Sequence, residues 1–145
     1  MTRIDFYVTH DTATDAAARL ACRIAEKAYR QQLPTHIHTR SQQQAQLVDQ
    51  LLWSFRSESF IPHELSDDFL DPTSLALDLP PVTVGSKEPG QREIEVVINL
   101  ADAVPLYFSR HNRLAEIIDG NGKAAGRERY KFYKDRGYEL NTHNL

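Results

Sequence analysis

The chain opens on an alternation. From Arg3 to Val8, Ile4, Phe6 and Val8 fall on one face and polar residues fall between them. A period of two predicts a strand. Thr9-His10-Asp11 ends it, and Asp11 or Thr14 stands where a helix cap belongs. The helix is expected to run to about Gln32. Ala17, Leu20, Ala21, Ile24 and Ala28 recur at spacings of three and four and make one apolar stripe. Its alanine content favours the helical state, and Pro34 stops it. His36-Ile37-His38 reads as a short strand. Ser41 with Gln44 three residues on is a capping-box pattern, and Val48, Leu51, Leu52 and Phe55 give the next stripe. Strand, helix, strand, helix in this order predicts an α/β domain around a parallel sheet.

Residues 57–86 break the rhythm. They hold no lysine or arginine, but Glu58, Glu64, Asp67, Asp68, Asp71 and Asp78 with four prolines. At most a short strand is expected, near Pro81–Val84. The segment reads either as a solvated acidic loop or as a partner-facing one, since Phe60, Ile61 and Leu65 are more apolar than an ordinary loop requires. Gly85–Gly90 is a turn cluster. Ile94–Leu100 is a β-branched run of the kind buried inside sheets. Ala101–Asn112 is ambiguous, with Pro105 at a plausible helix start. Leu114–Ile118 reads as another strand, Asp119-Gly120-Asn121-Gly122 as a turn, and Lys123–Arg136 as the last helix, stopped by Gly137. A tail from Tyr138 to Leu145 follows.

Composition narrows the class. The chain has 145 residues, 41% apolar and 26% charged, with a net charge of −3. That suits one globular domain over residues 1–145 and disfavours a globally basic nucleic-acid binder. The single cysteine, Cys22, fits a reduced, cytoplasmic protein. No apolar run reaches membrane-spanning length, and the start of the sequence lacks the features of a signal peptide.

Several chemical motifs fail on inspection. Gly120-Asn121-Gly122-Lys123 lacks the rest of a phosphate loop, with Ile117 where the first glycine belongs and Ala124 where Ser or Thr belongs. Read as a calcium loop from Asp119, it lacks glycine at the sixth position and glutamate at the twelfth. The turn Thr9–Thr12 has no glycine for a dinucleotide phosphate. His36 and His38 share a strand face and could share a metal, but no third ligand is evident, and they read as edge or surface histidines. Cys22 reads as a small core residue. No metal site and no cofactor follow from these patterns. A nucleotide-binding or hydrolytic α/β enzyme remains the alternative that the strand–helix order permits.

Two features remain. Arg127, Tyr130, Lys131 and Lys134 share one face of the last helix, with Lys123 one turn earlier. Such a face is either a solvated surface or a grip for an acidic ligand with an apolar group, because arginine holds a carboxylate through two parallel hydrogen bonds. Trp53, the only tryptophan, lies off the apolar stripe of its helix. It is either packed at the core edge or exposed as an interface anchor.

Together these blocks resemble a known family. Leu52-Trp53, Glu58-Ser59-Phe60-Ile61-Pro62-His63-Glu64-Leu65, Arg127-Glu128-Arg129-Tyr130-Lys131 with Tyr133, and Gly137-Tyr138 with Leu140-Asn141-Thr142 are similar to the chi subunit of bacterial DNA polymerase III holoenzyme. The resemblance covers essentially the whole chain. It implies a single three-layer Rossmann-like domain, with a mainly parallel central sheet and helices on both faces. It implies a clamp-loader accessory protein without a catalytic site, paired with the psi subunit. It also implies binding of the acidic C-terminal tail of single-stranded-DNA-binding protein, with DNA met only through partners. On the resemblance, the tail-binding positions fall on Met1, Trp53, Ile118, Lys123, Arg127 and Tyr130. The psi-facing positions fall on Phe60, with Ile61 and Pro62 beside it.

Overall fold

The computed structural model describes residues 1–54, 61–66, 81–90 and 93–145. The opening alternation forms β1 (Arg3–Val8), and the alanine-rich stripe forms α1 (Ala16–Arg30). Then come β2 (Thr35–His38), α2 (Gln42–Ser54), β3 (His63–Leu65), β4 (Val82–Gly85), β5 (Val96–Asn99), β6 (Arg113–Ile118), α3 (Lys123–Asp135) and β7 (Leu140–Asn144). The strands make one sheet in the order β3-β4-β2-β5-β6-β1-β7, with every pairing parallel.

Each strand face has its own cover. Ile37, Val82, Val84, Ile98, Ala115 and Ile117 pack with α1 and α2 in one core cluster. Ile4, Phe6, Val97, Leu114 and Ile118 turn the other way and pack with Tyr133 of α3 and with Tyr107 and Phe108. Thus α1 and α2 lie on one face and α3 on the other, giving three layers. β4 and β5 are buried along their whole length, which is why Val96-Val97-Ile98 of β5 runs apolar rather than alternating.

The local signals act mostly where expected. Gln44 N–H donates to Ser41 Oγ at 3.1 Å, while Gln44 Oε1 accepts from the Arg40 N–H at 2.8 Å. Gly137 has φ +84°, a left-handed conformation that glycine adopts freely. Tyr138 N–H donates to Tyr133 O and Gly137 N–H to Lys134 O, the paired bonds of a Schellman stop.

Several expectations need correction. Neither Asp11 nor Thr14 caps α1. The N-cap position is Asp15, without a side-chain cap bond, and Asp11 Oδ1 instead accepts from the Ala13 N–H. The helix stops at Arg30 rather than Gln32, and Gln32 takes a left-handed φ of 60°. The acidic stretch contributes β3 as well as β4, and the tail is a strand, β7, paired with β1. Ala101–Asn112 holds only a 3-10 turn at Phe108–Arg110. His36 and His38 are not on an edge: β2 lies inside the sheet, and His36 is fully buried with Nδ1 2.8 Å from Thr83 Oγ1.

Cys22 is fully buried in the first cluster, and burial pushes its thiol up to about 12. At pH 8 the native protein is therefore expected to resist iodoacetamide, while the urea-unfolded chain reacts. Mass spectrometry of the two samples checks this, and rapid modification of the native protein would contradict the packing.

Candidate partner-binding surface

The site begins with how α3 is mounted. Gly126 faces the sheet so closely that a Cβ there would lie 2.0 Å from Ile118 Cδ1. One turn further, Arg129 and Tyr133 reach into the sheet. Glu116, fully buried on β6, takes hydrogen bonds from Arg129 Nε at 2.9 Å, from the Tyr133 hydroxyl, and from Asn99 Nδ2 at 2.9 Å. Arg129 also donates to Asp102 O at 2.9 Å. Burial pushes the Glu116 carboxyl upward, against the pull of Arg129 and the hydrogen bonds. These contacts fix both the height and the rotation of the helix.

That rotation decides which side chains face outward. Tyr130 is half-buried with its ring edge-on to Phe6, centroids 5.2 Å apart. Arg127, Lys131 and Lys134 are exposed, and Lys134 Nζ sits 5.9 Å from the Tyr130 ring centroid. Lys123 starts the helix and its Nζ meets His10 Nδ1 on the β1–α1 loop. The result is a row of cations beside a supported aromatic ring. It offers carboxylates fixed partners and offers an apolar group a surface to lie on.

The other expected positions do not all join this row. Ile118 is 6% exposed and lies beneath Gly126. Gly126→Ala would force Ile118 aside. Urea denaturation is expected to show a loss of about 1–2 kcal/mol, overpacking offset in part by the better helix propensity of alanine. Recovery in an Ile118→Val background would trace that loss to this contact. Met1 is exposed at the other end of β1, next to Thr2, whose hydroxyl donates to His111 O at 2.7 Å. Trp53 is 53% exposed but belongs to α2, on the opposite face of the sheet, with its ring 4.5 Å from that of His63. His63 is itself fixed by Ile61 O and Asp49. Ile61 is 2% exposed and part of the first core cluster, and Pro62 is half-buried. Phe60 and Phe55 lie outside the described residues.

Two participants were not legible as such. Arg129 counts in the sequence among the cations of the helix, yet it is 5% exposed and engaged by Glu116. His10 gave no signal, because its contact with Lys123 joins residues far apart in the chain.

The usual ligand crevice of an open α/β sheet lies where neighbouring strands send their helices to opposite faces. Here that place is between β1 and β6. The two loops fill it themselves: Gly120 N–H donates to Asp11 O at 2.8 Å, and Asn121 Nδ2 donates to Thr12 O at 3.0 Å. A Cβ at Gly120 would stand 2.5 Å from His10 O, so only glycine fits. Among the described residues no three His, Cys, Asp or Glu side chains gather as a metal site, and no helix is long and apolar enough to cross a membrane.

The family described as DNA polymerase III chi subunit, HolC, matches residues 1–141. A DNA polymerase III subunit chi of Pseudomonas aeruginosa is 35% identical, over 100% of this chain and 98% of its own length. That of Escherichia coli is 29% identical, over 98% of this chain and 97% of its own. The Haemophilus influenzae subunit is 27% identical, over 97% and 95%. The chain belongs to the DNA polymerase III chi subunit family, the non-catalytic accessory subunits of the replicative polymerase.

Proposed function

We propose that the chain, acting as one domain, is a replication adaptor. It pairs with the psi subunit, through which it joins the clamp loader, and it holds the acidic C-terminal tail of single-stranded-DNA-binding protein. The observation that carries this reading is the outward flank of α3, where exposed Arg127, Lys131 and Lys134 surround the supported ring of Tyr130. Arg127 grips the terminal carboxylate, Lys123 draws in the aspartates, and the ring of Tyr130 receives the terminal phenylalanine. This is carboxylate capture.

Lys123, Arg127 and Tyr130 form the centre of the site. Ile118 supports it from beneath. Met1 lies at the far end of β1, about 20 Å away at roughly 3.3 Å per residue, a span that an extended acidic tail covers. Trp53 stands across the sheet, outside this cluster. The psi-facing positions are Phe60 and Pro62, and Ile61 beside Pro62 is held in the core.

The magnitudes suit a transient contact. A hydrogen bond to a charged group contributes roughly 1.5–3 kcal/mol, and burial of a phenylalanine about 1.5–3 kcal/mol. After association costs, affinity of about micromolar follows. The test is calorimetric titration with a peptide ending in Asp-Asp-Ile-Pro-Phe, against the same peptide amidated. Binding by the free acid that is lost on amidation is the expected result. Equal binding by both removes carboxylate capture, and absence of binding by either removes the tail site.

A further inference from the structure

The outer edge of β7 faces no strand among the described residues: β7 ends the sheet, and its one strand partner is β1. Edges of this kind are ordinarily blunted by lysine, proline or a bulge. Leu140-Asn141-Thr142-His143-Asn144 has neither lysine nor proline, and it stays in register with β1 throughout. Its side chains are anchored on both faces. Leu140 packs against the second core cluster, while His143 stacks on Tyr7 and bonds Asp5 Oδ1 at 3.0 Å. The backbone edge is thereby held straight. Leu145 N–H donates inward to Val8 O. By alternation, Asn141 and His143 also point inward, and Leu140, Thr142 and Asn144 present their N–H groups outward.

Cations flank this edge on both faces of the sheet. On one face a cleft of about 270 Å³ is lined by Arg19, Leu20 and Arg23 of α1 together with Thr9, Asp11 and Leu145; Arg19 is engaged by Asp15, so Arg23 is the cation this face offers. On the other face, Arg129 and Tyr133 point toward β5 and β6. Helical spacing therefore puts Arg127 and Lys134 on the flank turned toward β7.

We propose that the outer edge of β7, set between Arg23 of α1 and the cations of α3, takes an extended acidic chain segment as an eighth strand. Charge complementarity selects the occupant. A second copy of this chain would bring like-charged flanks together, whereas a segment with acidic residues on both faces meets Arg23 on one side and Arg127 on the other. Strand addition supplies affinity through main-chain hydrogen bonds, and the flanking cations supply selectivity. The proposal shares Arg127 with the carboxylate site but stands apart from it, because it needs no free terminus.

The probe is therefore a peptide of repeating Val-Val-Asp-Asp, which puts aspartates on both faces of a strand, acetylated and amidated. Amide hydrogen exchange followed by NMR is expected to slow by about tenfold or more at Thr142 and Asn144, with Asn141 and His143 little changed. The same peptide N-methylated at every residue keeps its charge but cannot pair along either edge, and it should lose binding. Thr142→Pro removes one outward N–H at an edge, where proline is tolerated, and should remove the protection at Asn144. Arg23→Glu should weaken binding about fivefold or more. The assignment is overturned if the N-methylated peptide binds equally well, or if the peptide binds without protecting Thr142 and Asn144. It is also overturned if the protein alone dimerises through β7. Should Thr142→Pro fail to fold, the N-methylated peptide on the unaltered protein still decides.

Discussion

Replacing Arg129 with methionine is expected to destabilise the protein by about 3–5 kcal/mol, the range for removing one partner of a buried ion pair. The cost arises at Glu116, which is fully buried and would keep only Tyr133 and Asn99 as hydrogen-bond partners. Burial already pushes that carboxyl upward, and Arg129 is the largest influence opposing the shift. Without it the carboxyl rises further. The folded state then binds more protons than the unfolded one, so stability falls as pH rises above the unfolded carboxyl range. The deficit should be larger at pH 8 than at pH 5. Urea denaturation at both values measures it. Replacing Glu116 by leucine in the same variant should restore part of the loss, and the double-mutant cycle isolates the pair. An unchanged midpoint would show that the network does not hold α3.

Arg127→Ala is the opposite case. Two positions away on the same helix, Arg127 is exposed, so stability should change by less than about 0.5 kcal/mol. Tail-peptide affinity should fall by at least about tenfold, or about 1.4 kcal/mol. Calorimetry on a variant with an unaltered melting curve reads this directly. Binding of the unaltered protein should also weaken with added salt, because the contact is between exposed charges. A variant that binds the tail as well as the parent removes Arg127 from the site.

The contrast between Arg127 and Arg129 shows where sequence reading reached its limit. Helical spacing correctly set Arg127, Tyr130, Lys131 and Lys134 together. It could not show that Arg129 faces inward, since that depends on Glu116 in another strand. β1, α1, α2 and the buried run in β5 were legible because their apolar period reports which face is covered. β7 was not, because an edge strand needs no apolar face: Asn141, Thr142 and Asn144 look like a tail until β1 is beside them. β3 is only three residues long and sits in an acidic, proline-rich stretch. His36 and His38 misled for a related reason. A histidine in a central strand is tolerated only through distant partners, here Thr83 and Tyr107, and nothing local announces them. For Trp53 the pattern left core edge and exposed anchor both open; the structure leaves it 53% exposed, and its separation from Arg127 follows from strand order, which spacing does not carry.

The position of β1 has a bearing on synthesis. Ile4 lies between Leu114 and Leu140, so both neighbours of the first strand come from the last third of the sequence. On a ribosome adding about 5–20 residues per second, the emerging β1 has no edge to pair with for roughly ten seconds. Its apolar residues wait while α1, β2 and α2 come out. The sheet closes only when β6 has emerged and left the exit tunnel, and α3 takes its place after that. Chaperone occupancy on nascent chains of this protein should therefore persist until β6 has left the exit tunnel.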